Sequence, residues 1–380
     1  MVNNLYKEEH RIFRGTFRKF LEKEVVPHLE EWEENGVVPK KIWHKCGEQG
    51  FLCPWADEKH GGFDAGFEYS VIMAEEIAGA EASCLGLSVH DIAARYVNDF
   101  GNEEQKTKWM PGCISGYCIT AIAMTEPNTG SDLQAIRTTA IKDHDSYVLN
   151  GQKIFISSGI NCDLAIVACK TNLKADPPHA GISILLVEDG TPGFNHSKKL
   201  KKLGLRGQDT AELVFEDCRI PESNLLGEEG MAFAYMMKNL ECERLIITIG
   251  TQAEAEAMLR ETIEYCKSRT AFGRPVSGFQ HNTFKIVELA TEVELGKVFL
   301  DTLISDYIAG KDIVKEVSMA KWWISEMANR VAYHCLQLHG GYGFMEEYAI
   351  ARRFRNVRGT TIVGGTTEIM KVVIGRCMGL

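Results

Sequence analysis

The 380-residue sequence predicts a mostly helical protein with a central β domain. Three observations carry this. Residues 1–118 repeat apolar side chains at helical spacing, residues 119–227 switch to a period of two, and residues 228–380 return to long helical segments with almost no proline. The expected units are an N-terminal α-helical domain (1–118), a middle β domain (119–227) built as an antiparallel sandwich or barrel, and a C-terminal helical bundle (228–380). Helices, then sheet, then helices leave no place for alternating strand–helix units, so a doubly wound nucleotide fold is disfavoured. Neither Gly-x-Gly-x-x-Gly after a strand nor Gly-x₄-Gly-Lys-Ser/Thr occurs, so no classical glycine turn holds a nucleotide.

In the first unit, Glu9–Trp32 and Tyr69–Ala80 read as amphipathic helices, punctuated by Pro27, Pro39, Pro54 and Gly61-Gly62. In the second, Tyr147 and Leu149 precede Asn150-Gly151, and Ile154 and Ile156 follow it, which predicts a hairpin turn at Asn-Gly. Leu164–Ala168, Ile182–Val187 and Glu212–Phe215 read as further strands. In the third, Met231–Lys267, Gln280–Ala309 and Val314–Leu338 are long enough for a bundle.

Apolar residues are 45% and charged residues 25% of the chain, as in ordinary globular proteins. The net charge of −10, from 42 basic and 52 acidic residues, argues against nucleic acid as the main partner. No apolar run is long enough to span a membrane, and the first twenty residues lack a secretory core, so a soluble, cytoplasmic protein is expected. The twelve cysteines form no Cys-x-x-Cys pair and the eleven histidines no metal-ligand spacing, so reduced thiols and no metal are expected.

Four segments carry chemistry. Met124-Thr125-Glu126-Pro127-Asn128-Thr129-Gly130-Ser131-Asp132 crowds hydroxyls and amides into a turn, able to serve a polar ring or a phosphate or simply to cap. Gln337-Leu338-His339-Gly340-Gly341-Tyr342-Gly343-Phe344 ends a helix in glycines, as a C-cap or to admit something bulky. Arg269-Thr270-Ala271-Phe272-Gly273 pairs a guanidinium with an aromatic ring. Gly364-Gly365-Thr366-Thr367-Glu368 opens the last helix, where backbone amides favour anions.

In this order and spacing the four segments resemble the acyl-CoA dehydrogenase family over essentially the whole chain. The resemblance implies a helical domain, a β domain and a four-helix bundle, with FAD held between β domain and bundle and partly by a neighbouring subunit. It implies that Met124, Thr125, Phe155 and Ser157 lie along the flavin ring, with Ser131 near the FAD and pantetheine phosphates. Arg269, Phe272, Gln337, Gly340 and Gly341 match contacts to FAD across a dimer, and Thr366 and Glu368 match further FAD contacts. The implied assembly is a homotetramer that passes electrons to an electron-transferring flavoprotein.

The reaction implied removes the proton α to a thioester while the β hydride leaves for flavin, so a carboxylate must face the opposite side. Many relatives carry that Glu just before the last helix, where this chain has Gly364. A branch resembling the isovaleryl and long-chain enzymes carries it on a bundle helix before an arginine. That position is Glu243, in Leu240-Glu241-Cys242-Glu243-Arg244-Leu245, surrounded by apolar residues that should raise its pKa. Arg244 matches a CoA-contacting arginine, and the Gly364 amide remains to bind the thioester oxygen. Asp91, in Leu87-Ser88-Val89-His90-Asp91, reads either as a helix cap or as a second acid. The second reading resembles alicyclic dehydrogenases of cyclohexane- or cyclohex-1-ene-1-carbonyl-CoA, where such an Asp takes a ring proton in a 1,4-elimination. The expected substrate is therefore an alicyclic acyl-CoA thioester, with short- or branched-chain acyl-CoA as the alternative. An oxidase or flavin monooxygenase, and a non-catalytic assembly protein, are rivals from other classes.

Overall fold

The computed structural model describes residues 5–380. Six helices come first: α1 (Glu8–Glu24), α2 (Leu29–Asn35), α3 (Lys40–Glu48), α4 (Phe67–Gly79), α5 (Leu87–Phe100) and α6 (Glu103–Ser115). The expected single segment Glu9–Trp32 is split, because Pro27 sits in a 3₁₀ turn over Val26–His28 and its ring cannot continue the α1 ladder. Asn102 caps α6, accepting from the Gln105 N–H at 2.9 Å while the Gln105 side chain accepts from the Asn102 N–H at 3.1 Å. His90, fully buried, fixes α5. Its Nδ1 accepts from the Thr120 N–H at 3.1 Å and its Nε2 donates to the Cys113 carbonyl at 2.9 Å. Burial pushes its pKa down to about 4, so the ring is a neutral strut.

The middle region contains β1 (Thr120–Ala123), β2 (Thr139–Asp143), β3 (Ser146–Ser157), β4 (Leu164–Lys170), β5 (Ile182–Glu188), β6 (Phe194–Lys199) and β7 (Thr210–Pro221). They form one seven-stranded sheet in the order β1-β4-β2-β3-β7-β6, with β5 on β4. Two expectations need correction. The sheet is mixed: β1 runs parallel to β4, from Thr120 opposite Leu164 to Ala123 opposite Val167. The long excursion through β2 and β3 supplies the crossover that a parallel pair needs. Asn150-Gly151 is also not the hairpin turn. It is a bulge inside the continuous strand β3, and the turn falls at His144, whose φ is +58°. Asn150 spends its amide on β7, accepting from the Asp217 N–H at 2.9 Å and donating to Asp217 Oδ1 at 3.1 Å.

The last region holds α7 (Ala232–Ser268), a two-residue ribbon of β8 (Thr270–Ala271) and β9 (Arg274–Pro275), then α8 (Gln280–Ile308), α9 (Val314–His339), α10 (Ala349–Val357) and α11 (Thr367–Cys377). Leu245, Ile249, Met258, Leu300, Val317, Ile324 and Val331 interlock at its centre. Arg353 of α10, 1% exposed, ties this bundle to α4. It pairs with Glu254 and, in a two-pronged contact at 2.9 and 3.1 Å, with Glu261, and it donates to the carbonyls of Ala78 at 2.8 Å and Gly79 at 3.1 Å.

Candidate active site

The centre of α7 has almost no solvent face: Leu240, Cys242, Leu245, Ile246 and Ile249 are all buried. Glu243 sits among them at 8% exposure. Its Oε1 accepts one hydrogen bond, from the Tyr96 hydroxyl on α5 at 2.9 Å. Burial pushes the Glu243 carboxyl up to about 7, and the Tyr96 donor and the neighbouring Arg244 charge pull it back only in part. Burial also holds the Tyr96 phenol well above its usual range, so it remains a donor. Arg244 is buried too, and its Nε donates to the Gly364 carbonyl at 3.3 Å. Gly364 and Gly365 have φ of +65° and +103°, a turn that glycine makes without strain. Lys321 of α9, 1% exposed, donates to the Gly365 carbonyl at 2.5 Å. Among the described residues the Gly364 N–H has no acceptor. One carboxylate, two cations and one free amide thus meet where α7, α9 and the start of α11 converge.

Asp91 lies five residues before Tyr96 on α5 and is buried. It is already engaged: Oδ1 accepts from Trp55 Nε1 at 2.6 Å and Oδ2 stands 3.6 Å from Arg95 Nε. The Arg95 guanidinium also lies over the Trp55 ring at 4.2 Å. Burial raises the Asp91 pKa, against the pull of Arg95 and Trp55.

The residues expected along a flavin gather at the end of β1. Thr125 O accepts from the Ile154 N–H at 2.9 Å and Met124 O from Lys153 Nζ at 3.0 Å, so residues 124–125 run beside 153–157. A buried Lys153–Glu126 pair at 2.8 Å staples this junction, and Glu126 also accepts from the Thr138 N–H at 2.9 Å. Phe155 is 65% exposed at a φ of +61°, an unusual backbone for an aromatic residue. Ser157 is half-buried and Ser131 exposed. A Cβ on Gly130 would meet only Thr125 Cγ2, at 3.7 Å. This open, polar-edged cradle fits a flavin.

Arg269, Phe272, Gln337, Gly340 and Gly341 are elsewhere. Arg269 caps the far end of α7, roughly 39 Å along the helix axis from Glu243 at the usual rise per residue. Arg269, Gln337, Gly340 and Gly341 line a separate cavity of about 480 Å³ together with Tyr265 and Tyr342. Phe272 projects beside it, 96% exposed. A Cβ on Gly340 or Gly341 would meet nothing within 4 Å, and the Arg269 guanidinium lies 5.3 Å over the Tyr342 ring. This cavity is a place distinct from the cradle at the end of β1. Thr366 caps α11, accepting from the Ile369 N–H at 3.3 Å, with exposed Glu368 in its first turn.

Reading the sequence missed Tyr96, Trp55, Arg95, Lys153 and Lys321. Arg95 pairs with Asp91 on its own helix, but the others act through partners well removed in the chain; the Tyr96–Glu243 bond spans 147 positions and leaves no local period. Among the described residues no His/Cys/Asp/Glu group could hold a metal ion, and no helix is long and apolar enough to cross a membrane.

Three family models match consecutive stretches: acyl-CoA dehydrogenase N-terminal domain over residues 7–117, middle domain over 121–218 and C-terminal domain over 230–379. The chain is 45% identical to a mitochondrial long-chain specific acyl-CoA dehydrogenase of Sus scrofa, covering 99% of this chain and 87% of that protein. It is 35% identical to a mitochondrial isovaleryl-CoA dehydrogenase of Pongo abelii, covering 99% and 89%. The crystal structure of an acyl-CoA dehydrogenase from Geobacillus kaustophilus is 54% identical and superimposes with a TM-score of 0.98 over 99% of this chain and all of that one.

Proposed function

The chain belongs to the acyl-CoA dehydrogenase family, whose members are FAD-dependent oxidoreductases, and from that premise we propose that it oxidises acyl-CoA thioesters with Glu243 as the α-base. The observation that carries this is the state of Glu243: deeply buried, held by a single phenol, and poised near neutrality. A base with that pKa takes up and releases a proton at physiological pH. FAD, when bound, accepts the β hydride and passes two electrons on. The chain's residues do the rest. Met124, Thr125, Phe155 and Ser157 seat the ring, Thr366 and Glu368 its tail, and the Gly364 N–H receives the thioester oxygen. Ser131 and Arg244 serve the CoA moiety.

Open-chain acyl groups are the better-supported substrates. The long-chain and isovaleryl relatives are named for open-chain acyl groups, which supports this reading. The alicyclic reading keeps one observation in its favour, the raised pKa of Asp91, and one against it, the prior engagement of that carboxylate by Trp55 and Arg95. Electron-transferring flavoprotein is the proposed acceptor. The Arg269 cavity and the exposed apolar face of α8 at Phe284, Val287, Leu295 and Val298 support assembly into a homotetramer. Anaerobic mixing with palmitoyl-, isovaleryl-, cyclohexanecarbonyl- and cyclohex-1-ene-carbonyl-CoA tests the reading. Bleaching of bound flavin by an open-chain thioester supports it; bleaching by the cyclic ones alone would restore the alicyclic assignment.

A further inference from the structure

We propose that Lys321 is a positioning residue: from α9 it clamps the Gly364–Gly365 turn and so sets where the Gly364 N–H meets the thioester oxygen. The inference rests on the reading that this N–H binds that oxygen. Two consecutive glycines with left-handed φ make the turn the most deformable backbone near Glu243. Its two carbonyls are each held by a buried cation, Gly364 O by Arg244 Nε at 3.3 Å and Gly365 O by Lys321 Nζ at 2.5 Å. Among the described residues Lys321 makes no ion pair within 4 Å, so its charge is spent on this carbonyl rather than on structure of its own. Burying an ammonium without a carboxylate is costly, and a carbonyl alone is poor compensation. Such a cost is retained where a position must be exact.

The groups facing Lys321 are Arg244 from α7, Glu326 on its own helix and Glu368 from α11. Burial and Arg244 bring its pKa down to about 8, with the two acids opposing. The clamp therefore weakens as pH rises through 8, because the neutral amine is the poorer donor.

Acetyl-CoA tests this directly, since it carries the thioester but no β carbon to oxidise. Calorimetric affinities of the holoenzyme for acetyl-CoA and for free CoA, at pH 7 and pH 9, isolate the carbonyl contact. Wild type should prefer acetyl-CoA, and more so at pH 7. Lys321→Met should lose about tenfold of that preference while binding CoA unchanged, because one charge-assisted contact is removed. With an oxidisable substrate it should lower kcat more than it raises KM. Lys321→Gln keeps a donor without a charge and should recover part of the preference with a smaller step between the two pH values than wild type, the remaining step belonging to Glu243, which titrates near 7; it also decides the matter if the Met variant does not fold. A Met variant with wild-type preference, or with equal losses on CoA and acetyl-CoA, overturns the clamp. A wild-type enzyme with no preference would instead fault the reading of Gly364.

Discussion

Glu243 and Glu254 lie on the same helix, three turns apart, and both are buried, yet their surroundings differ sharply. Glu254 meets the Arg353 guanidinium and the Ser83 hydroxyl at 2.7 Å. Glu243 meets one phenol. Burial raises the pKa of both, but Glu254 has an opposite charge in contact to offset it. A buried carboxylate inside a saturated network is architecture. One left with a single neutral donor retains its proton affinity and can exchange a proton with a ligand. With Glu243 as the proposed base, the comparison separates scaffold from chemistry on one element.

The sharpest way to break it is to neutralise each acid in turn. Glu243→Gln should slow α,β-dehydrogenation on the order of 10³-fold while the protein still binds FAD and melts no earlier than wild type. Removing the cation at the other end, Arg353→Met, should instead leave Glu254 and Glu261 uncompensated and cost about 3–5 kcal/mol of stability, with the folded fraction turning over normally. Thermal melts and rate assays on the two variants read opposite patterns; matching patterns would dissolve the distinction.

A finer probe is Tyr96→Phe. The phenol donates to the ionised form of Glu243, so its loss should raise that pKa further, by about one unit from about 7. The sign follows from the base role: kcat/KM rises as pH climbs through the Glu243 pKa, so the acid limb should move upward. Activity at pH 7 should fall about fivefold and converge with wild type above pH 9. An unmoved limb would detach the titration from Glu243. The smallest effect on turnover belongs to Asp91→Asn, which should lower stability through Trp55 and Arg95, by about 1–3 kcal/mol, and leave open-chain oxidation nearly intact. Selective loss on a cyclohexene thioester would instead give Asp91 a chemical role.

The three-part layout was legible because periodicity is local: long apolar helical stripes bracket a stretch with period two. Glu243 was singled out by resemblance, from its place before an arginine on a bundle helix, and the apolar run around it agreed with its burial. Tyr96, Lys321 and Arg353 were not, since each acts on a group in a distant segment and their neighbours in sequence say nothing of it. Asn150-Gly151 misled because its composition fits both a turn and a bulge; only Asp217 across the sheet selects the bulge. Resemblance placed Arg269 and Gln337 with the flavin of a neighbouring subunit; the span of α7 sets Arg269 far from Glu243 within the chain.

Exchange of the substrate's α-hydrogens with deuterium oxide, followed by proton NMR, reaches the central claim without requiring hydride transfer. The account predicts that wild-type enzyme washes deuterium into the α position of a bound thioester and that Glu243→Gln does not. Exchange by the Gln variant at the wild-type rate would place the base elsewhere.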